Sequence, residues 1–430
     1  MTFLSPVDMA KTKPKEKNEL KKKSRAGYIP SKTLKTPSSL SPKILLEQAA
    51  QSLQLGDADS AILLAQQAHD ILGAGTKESL PALNLCGEIN IELGNIELAR
   101  KYFLQAANID SDGTIDEDHG GGPEKFLWLA QLSENGGYES VEWFEKGCTI
   151  LRRQIQYLNE RQSSMTIDSN KTERQNTATL IDEKIQKLAG ALCSIVEVFM
   201  TDLSWEEDAE QKCETLITEA TLIAPNFAEP WQTLANVRIS QQRLDDAQAA
   251  LKRSINVWKD LPCQDPHVPD YPTRVSLARL LMEAELDTEA IEVLEGLVAE
   301  DDSSVEVWYL GGWGLYILGE KQRNNSKNCN IDKIFADSEK SNVEKDRKPE
   351  DWRNTHISSR QWLEHALNLF KQQNYEDERL GEHAQELLET LKTELGEEGA
   401  NSDQGEEDDS DGDWSSFKES EEDEAMVDAE

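Results

Sequence analysis

The groups able to do chemistry in this chain are abundant but unorganised. Of its 430 residues, 82 are Asp or Glu against 45 Lys or Arg, a net charge of −37. Carboxylates at this density offer many pairs, and no spacing singles one out for general acid–base work. The six histidines do not cluster with the six cysteines (Cys86, Cys148, Cys193, Cys213, Cys263 and Cys329). Cys263 and His267 are four apart, but Pro266 breaks a helix between them, so metal ligation there is not expected. Asp110 to Gly122 is rich in acids (Asp110, Asp112, Asp116, Glu117, Asp118) and ends in Gly120 to Gly122. For a calcium loop, Gly113 comes two positions too early and no terminal Glu closes the run, so a mobile acidic loop is expected instead. No nucleophile motif and no phosphate-cradling glycine loop occurs. These residues read as a binding scaffold rather than an enzyme, with no cofactor and no metal.

The elements that carry these groups repeat. Trp231, Leu234 and Ala235 share one helical face, a polar turn follows at Gln241 to Arg243, and Ala247, Leu251 and Ser254 share the next face. Each helix narrows where the other crosses it, and neither buries its face alone, so the unit requires stacked copies. This spacing resembles the tetratricopeptide repeat (TPR). Leu83, Cys86 and Gly87 repeat the pattern before a Gly94 turn and Ala99, Phe103 and Ala106. Pro42 opens a first copy, with Leu45, Ala49, a Gly56-Asp57 turn, Ala61, Ala65 and Ala68; Asp57 or Asp59 can cap its second helix. Further copies start at Phe126, at the long helix Leu180 to Met200, at Leu277 and at Trp308. The expected fold is all-α, a right-handed superhelical solenoid of about seven TPR-like hairpins over 41–396. It carries an acidic loop insert at 109–122, a loop over Ser163 to Thr177, a disordered insert at 321–349 and a capping helix at 379–395.

In such a solenoid the first helix of each repeat lines the concave face. By register that face includes Glu88, Glu92, Glu124, Glu134, Asn236 and Glu283, where acids outnumber bases. Tyr309, Trp313 and Tyr316 fall at i, i+4 and i+7 on one helix. The stripe reads either as anchors for a partner segment or as core packed under the insert or the final helix. A clamp for an acidic chaperone C-terminus needs convergent Lys, Arg and Asn, and the set here is incomplete and partly reversed in charge.

The flanks are biased. Residues 1–40 form a basic arm in which Lys21, Lys22, Lys23 and Arg25 read as a nuclear-localisation signal for an import receptor, as a solvated arm, or as a strand folding back on the chain's own acids. Residues 397–430 form an acidic disordered tail, with Glu406 to Asp409 and Glu421 to Glu424 as blocks of like charge. Ser410, Ser416 and Ser420 each precede acids and suit an acid-directed kinase. The charge argues against DNA and anionic membranes as partners. The first ten residues lack a signal-peptide core, no run of 18 apolar residues occurs, and no close cysteine pair marks a disulfide framework.

The layout as a whole (basic arm, seven repeats, a broken seventh repeat, then a tail with Asp409 to Trp414 reading Asp-Ser-Asp-Gly-Asp-Trp) resembles the fungal dedicated assembly chaperones of large-subunit ribosomal protein four. The resemblance implies capture of that newly made basic protein in an acidic groove, shuttling between cytoplasm and nucleus, and delivery to the large ribosomal subunit. The other reading of the repeats is a generic TPR adaptor in a multi-subunit complex.

Overall fold

The computed structural model describes residues 41–164, 171–262, 265–335 and 351–396. The basic arm, the acidic tail with its three serines, Cys263, and residues 336–349 of the expected insert lie outside the described residues. The chain divides into two compact units, Met1–Leu286 and Asp287–Glu430.

The first unit holds α1 (Pro42–Gln54), α2 (Ala58–Leu72), α3 (Leu80–Glu92), α4 (Ile96–Ile109), α5 (Glu124–Gln131), α6 (Gly137–Ser164), α7 (Lys171–Met200), α8 (Ala209–Ile223), α9 (Ala228–Ser240), α10 (Leu244–Trp258) and α11 (Tyr271–Glu283). α1 to α10 pair in sequence as hairpins, α1 with α2 through α9 with α10. First helices also touch across repeats, α1 with α3, α7 with α9 and α9 with α11. The fold is therefore all-α and built of TPR-like hairpins, as the periodicity requires.

The small residues found by spacing sit at the helix crossings. Ala49, Ala61, Ala65 and Cys86 are fully buried in one cluster. A Cβ on Gly87 would stand 2.5 Å from the Phe103 ring of α4, so only glycine lets α3 and α4 close. The turns inside the hairpins need a left-handed residue. Gly56 and Gly94 supply it, and Gln242 adopts a positive φ of 60° with a side chain, at a steric cost. Asp57, not Asp59, caps α2, accepting from the Ser60 amide at 3.1 Å.

Two loop expectations need correction. α7 begins at Lys171, so residues 171–177, read as loop for their polarity, are helix. Helix nucleated by the apolar stretch from Leu180 propagates back through polar residues of adequate propensity. The acidic segment 110–122 is packed, not mobile. Asp110 and Lys125 are both about 1% exposed and pair at 2.8 Å. The Asp110 carboxylate also accepts from the Thr114 and Ile115 amides at 2.8 and 3.2 Å, and Lys125 donates to the Gly122 carbonyl at 2.8 Å.

The second unit holds α12 (Asp287–Glu300), α13 (Val305–Phe335), α14 (Asp351–Gln373) and α15 (Glu378–Leu395), with α15 packed on both α13 and α14. α13 runs through Phe335, so the insert expected from Lys321 does not begin there; 321–335 is helix. Gly311 and Gly312 lie where Trp362 and Leu363 of α14 cross α13. No described helix is long and apolar enough to cross a membrane.

Candidate functional site: carboxylates on the first helices

Within the first unit, α3 and α5 bring Glu88 and Glu124 together, and α7, α9 and the cap of α11 bring Glu197, Glu229 and Asp270 together. Glu88 on α3 is held above the usual carboxylate range by desolvation and then by the charge of Glu124 at the start of α5. Glu197 on α7 is raised by desolvation. Glu229 on α9 is raised by desolvation, then by Glu197, then by Asp270, which caps α11. Glu283 at the end of α11 is also raised by desolvation. Among the described residues, none of Glu88, Glu197, Glu229 and Glu283 is in an ion pair. Glu197, Glu229 and Glu283 are nonetheless open to solvent. Glu88, Glu197 and Glu229, flanked by protein and by like charge, lie on a recessed anionic surface, whereas Glu283 is raised by its protein surroundings alone.

The structure sorts the residues expected on this face. Glu88 and Glu124 come together. Glu124 already binds Lys187 of α7 at 2.7 Å, and Glu117 of the packed acidic segment binds Lys184 of α7 at 2.7 Å. Asn84 donates to the Gly120 carbonyl at 2.9 Å, so the segment is tied to α3 as well as α7. Asn236 is half-buried on α9, and Glu92 is exposed at the end of α3. Glu134 is a correction: it lies in the turn after α5 and pairs with Arg100 of α4 at 3.0 Å, beside Glu139. α5 ends at Gln131, shorter than the register assumed, so Glu134 is not on a first helix.

Tyr309, Trp313 and Tyr316 are a second correction. They are half-buried against Leu363, Ala384, Leu387 and Leu391 of α14 and α15. The Tyr309 hydroxyl meets His383 Nδ1 at 2.7 Å, and Trp313 packs edge-on to the same imidazole. The stripe is packing for the final helix, not an open row of anchors.

Sequence reasoning missed Glu197, Glu229, Asp270, Lys184 and Lys187. Glu229 stands seven residues before the expected Asn236, on the same stripe, and extending the register by two turns finds it. Gln232, between them, turns inward to Ser254 of α10. α7 lacks the repeat pattern, so no register pointed to its face. Cys86, Cys148, Cys193 and Cys213 are buried free thiols. Burial pushes Cys86 and Cys148 up to about 12 and Cys213 up to about 11, so they stay protonated and unreactive. A cleft between α6, α7 and α8, of about 920 Å³, is walled by Ile155, Ile185, Leu188 and Ile223 and gathers no carboxylate row.

Stacked hairpins with a recessed charged face define a TPR-class binding protein, and a tetratricopeptide-repeat family model matches residues 80–112. Two curated relatives cover most of the chain. One, from Emericella nidulans, is named a probable assembly chaperone of rpl4 and is 48% identical over 83% of this chain and 83% of its own length. The other, from Schizosaccharomyces pombe, bears the same name and is 32% identical over 80% of this chain and 89% of its own. A solved structure of an assembly chaperone of RpL4 (Acl4), residues 1–338, is 52% identical with a TM-score of 0.60, over 67% of this chain and all of that one. The chain belongs to this family of rpl4 assembly chaperones, which are not enzymes.

Proposed function

We propose that this chain is an assembly chaperone for a strongly basic ribosomal protein, the counterpart of the rpl4 for which its relatives are named. It holds the client on the carboxylates of the first unit's first helices. The observation that supports this reading is the set Glu88, Glu197, Glu229 and Glu283, each desolvated in the free protein and none neutralised by a cation of its own. A client lysine or arginine supplies the missing counter-charge. That converts a repulsive surface into charge-assisted hydrogen bonds and masks a segment made for RNA phosphates. Lys21, Lys22, Lys23 and Arg25 serve an import receptor, and the chain shuttles between cytoplasm and nucleus with its client before delivery to the large subunit.

The test is titration of the full chain with the recombinant client at salt from about 0.1 to about 0.5 M. Affinity is expected to fall steadily with salt. E197Q/E229Q is expected to weaken it tenfold or more, since a hydrogen bond to a charged group is worth about 1.5–3 kcal/mol. Unchanged affinity in the double variant, or binding indifferent to salt, overturns the reading and favours a generic adaptor with neutral or acidic partners. Replacing Lys21, Lys22 and Lys23 by Ala is expected to lower the nuclear fraction, and an unchanged distribution removes the import role.

A further inference from the structure

The first unit also holds a row of apolar side chains open to solvent. Its hairpins stack with first helix against first helix, so the turns inside them emerge along one edge. Each of the first four turns presents a large apolar residue. Leu55 follows α1, Ile96 and Leu98 lie in the first turn of α4, Tyr138 lies in the first turn of α6, and Trp205 stands between α7 and α8. Leu55 is 80% exposed and Trp205 73%, with the other three at 45–46%. Contacts tie the turns to one another. Leu53 and Leu93, just before the first and second turns, pack on one buried cluster. Arg100, two residues beyond Leu98, pairs with Glu134 at 3.0 Å and with Glu139, on either side of Tyr138. The Gly137 amide donates to Asp202 Oδ2 at 2.9 Å, and Lys212 stands 5.7 Å over the Tyr138 ring and 4.7 Å over that of Phe199.

An ordered turn holds Trp205 out. The Thr201 and Leu203 amides donate to the Glu197 and Val198 carbonyls at 2.9 and 3.0 Å, and the Glu206 amide donates to the Leu203 carbonyl at 3.1 Å. Leu203 itself is buried in the core beneath. A large ring on a fixed backbone gives up little freedom on contact, which suits it to anchor a partner. Single exposed apolar residues are ordinary, but one at each of four successive turns forms a surface. The charge beside it has one sign. Asp59, Glu92, Glu97 and Glu207 are exposed and, among the described residues, in no ion pair. The cations Arg100 and Lys212 are already paired, Lys212 with Asp208 at 2.9 Å. Such an edge repels anions and a second copy of this acidic chain, and it complements a segment that mixes lysine or arginine with apolar side chains. It also runs into the recessed carboxylates. Glu197 lies in the last turn of α7, and its carbonyl bonds the first residue of the Trp205 turn.

Given the basic client proposed above, we infer that this edge is a second docking surface for it, taking a segment in which apolar residues alternate with lysine or arginine. Trp205 and Leu55 are the apolar anchors, and Glu97 and Glu207 supply the counter-charge. The first-helix carboxylates hold one stretch of the client and the edge holds another, so the two contacts reinforce each other.

The test is titration of the full chain with the recombinant client at about 0.1 and about 0.5 M salt. W205S is expected to weaken binding by about tenfold or more, and L55S by about threefold or more, at both salt levels and with the thermal midpoint unchanged, because apolar contact is not screened. E207K is expected to weaken binding at the lower salt and to recover at the higher. L55S and E207K keep the test decisive if W205S fails to fold. Wild-type affinity in W205S and L55S, with E197Q/E229Q still weakened, overturns the edge and leaves the carboxylate reading standing. The reverse pattern removes the carboxylate reading and keeps the edge. Unchanged client affinity with altered sedimentation of the free W205S chain also overturns it, because a second copy then covers the row.

Discussion

The buried pair Asp110–Lys125 allows the sharpest quantitative test. Both side chains are about 1% exposed, and every partner is intramolecular: a 2.8 Å ion pair, two amides on Asp110 and one carbonyl on Lys125. In Lys125→Met the carboxylate remains buried and loses its counter-ion. Removing one partner of a buried pair costs about 3–5 kcal/mol, whereas replacing both with apolar groups costs far less. The acidic segment carries the strain first, since Asp110 holds its Thr114 and Ile115 amides. Local opening there is expected to rise at least a hundredfold, because about 1.4 kcal/mol is a factor of ten. Hydrogen exchange at these two amides reads the change directly. The double variant Asp110→Asn/Lys125→Met is expected to recover most of the loss, and the cycle gives the coupling. With the segment open, Lys184 loses Glu117, so client affinity is expected to fall as the recessed face gains positive charge. Exchange at Thr114 and Ile115 unchanged in Lys125→Met refutes the reasoning, because the pair then neither anchors the segment nor bears a desolvation cost.

Other expectations follow from the same geometry. Glu229→Gln removes a charge that desolvation, Glu197 and Asp270 all oppose, so its thermal midpoint is expected to rise at pH 7 while client binding weakens. Because the folded pKa is raised, the penalty in wild type is full above that pKa and absent below the ordinary value of 4.5; the gain is expected to vanish as pH falls past it, and a gain independent of pH contradicts this. Gly87→Ala puts a methyl 2.5 Å from the Phe103 ring, and urea unfolding is expected to show a loss of about 1–3 kcal/mol. Gln242→Gly relieves a positive φ, and a gain below about 1 kcal/mol in the same assay is expected after the added chain entropy is offset. Tyr309→Phe removes the hydroxyl bonded to His383 and is expected to cost about 1 kcal/mol without altering client affinity, whereas a loss of affinity restores the stripe as an anchor.

Sequence periodicity was enough for the hairpins, because a helix that buries one face announces it locally. Ala61, Cys86, Gly87, Ala247 and Ser254 stand where helices cross, and small side chains are needed there whatever lies further along the chain. Net charge likewise gave the acidic character of the chain, since charge adds regardless of fold. Position was another matter. Glu88 and Glu124 were legible from register, but Glu134 dropped off the face because α5 is short, and Glu197 and Glu229 meet only through the packing of α7 on α9. The stripe Tyr309, Trp313 and Tyr316 has the same spacing whether it anchors a partner or packs a core; α15, some seventy residues on, decides for the core. Leu55, Tyr138 and Trp205 come from three hairpins, with no spacing in the chain to mark them as one row. Short-range pattern fixes which side of a helix is buried, whereas the encounter of distant charges depends on helix length and crossing, and these exist only once the elements have packed.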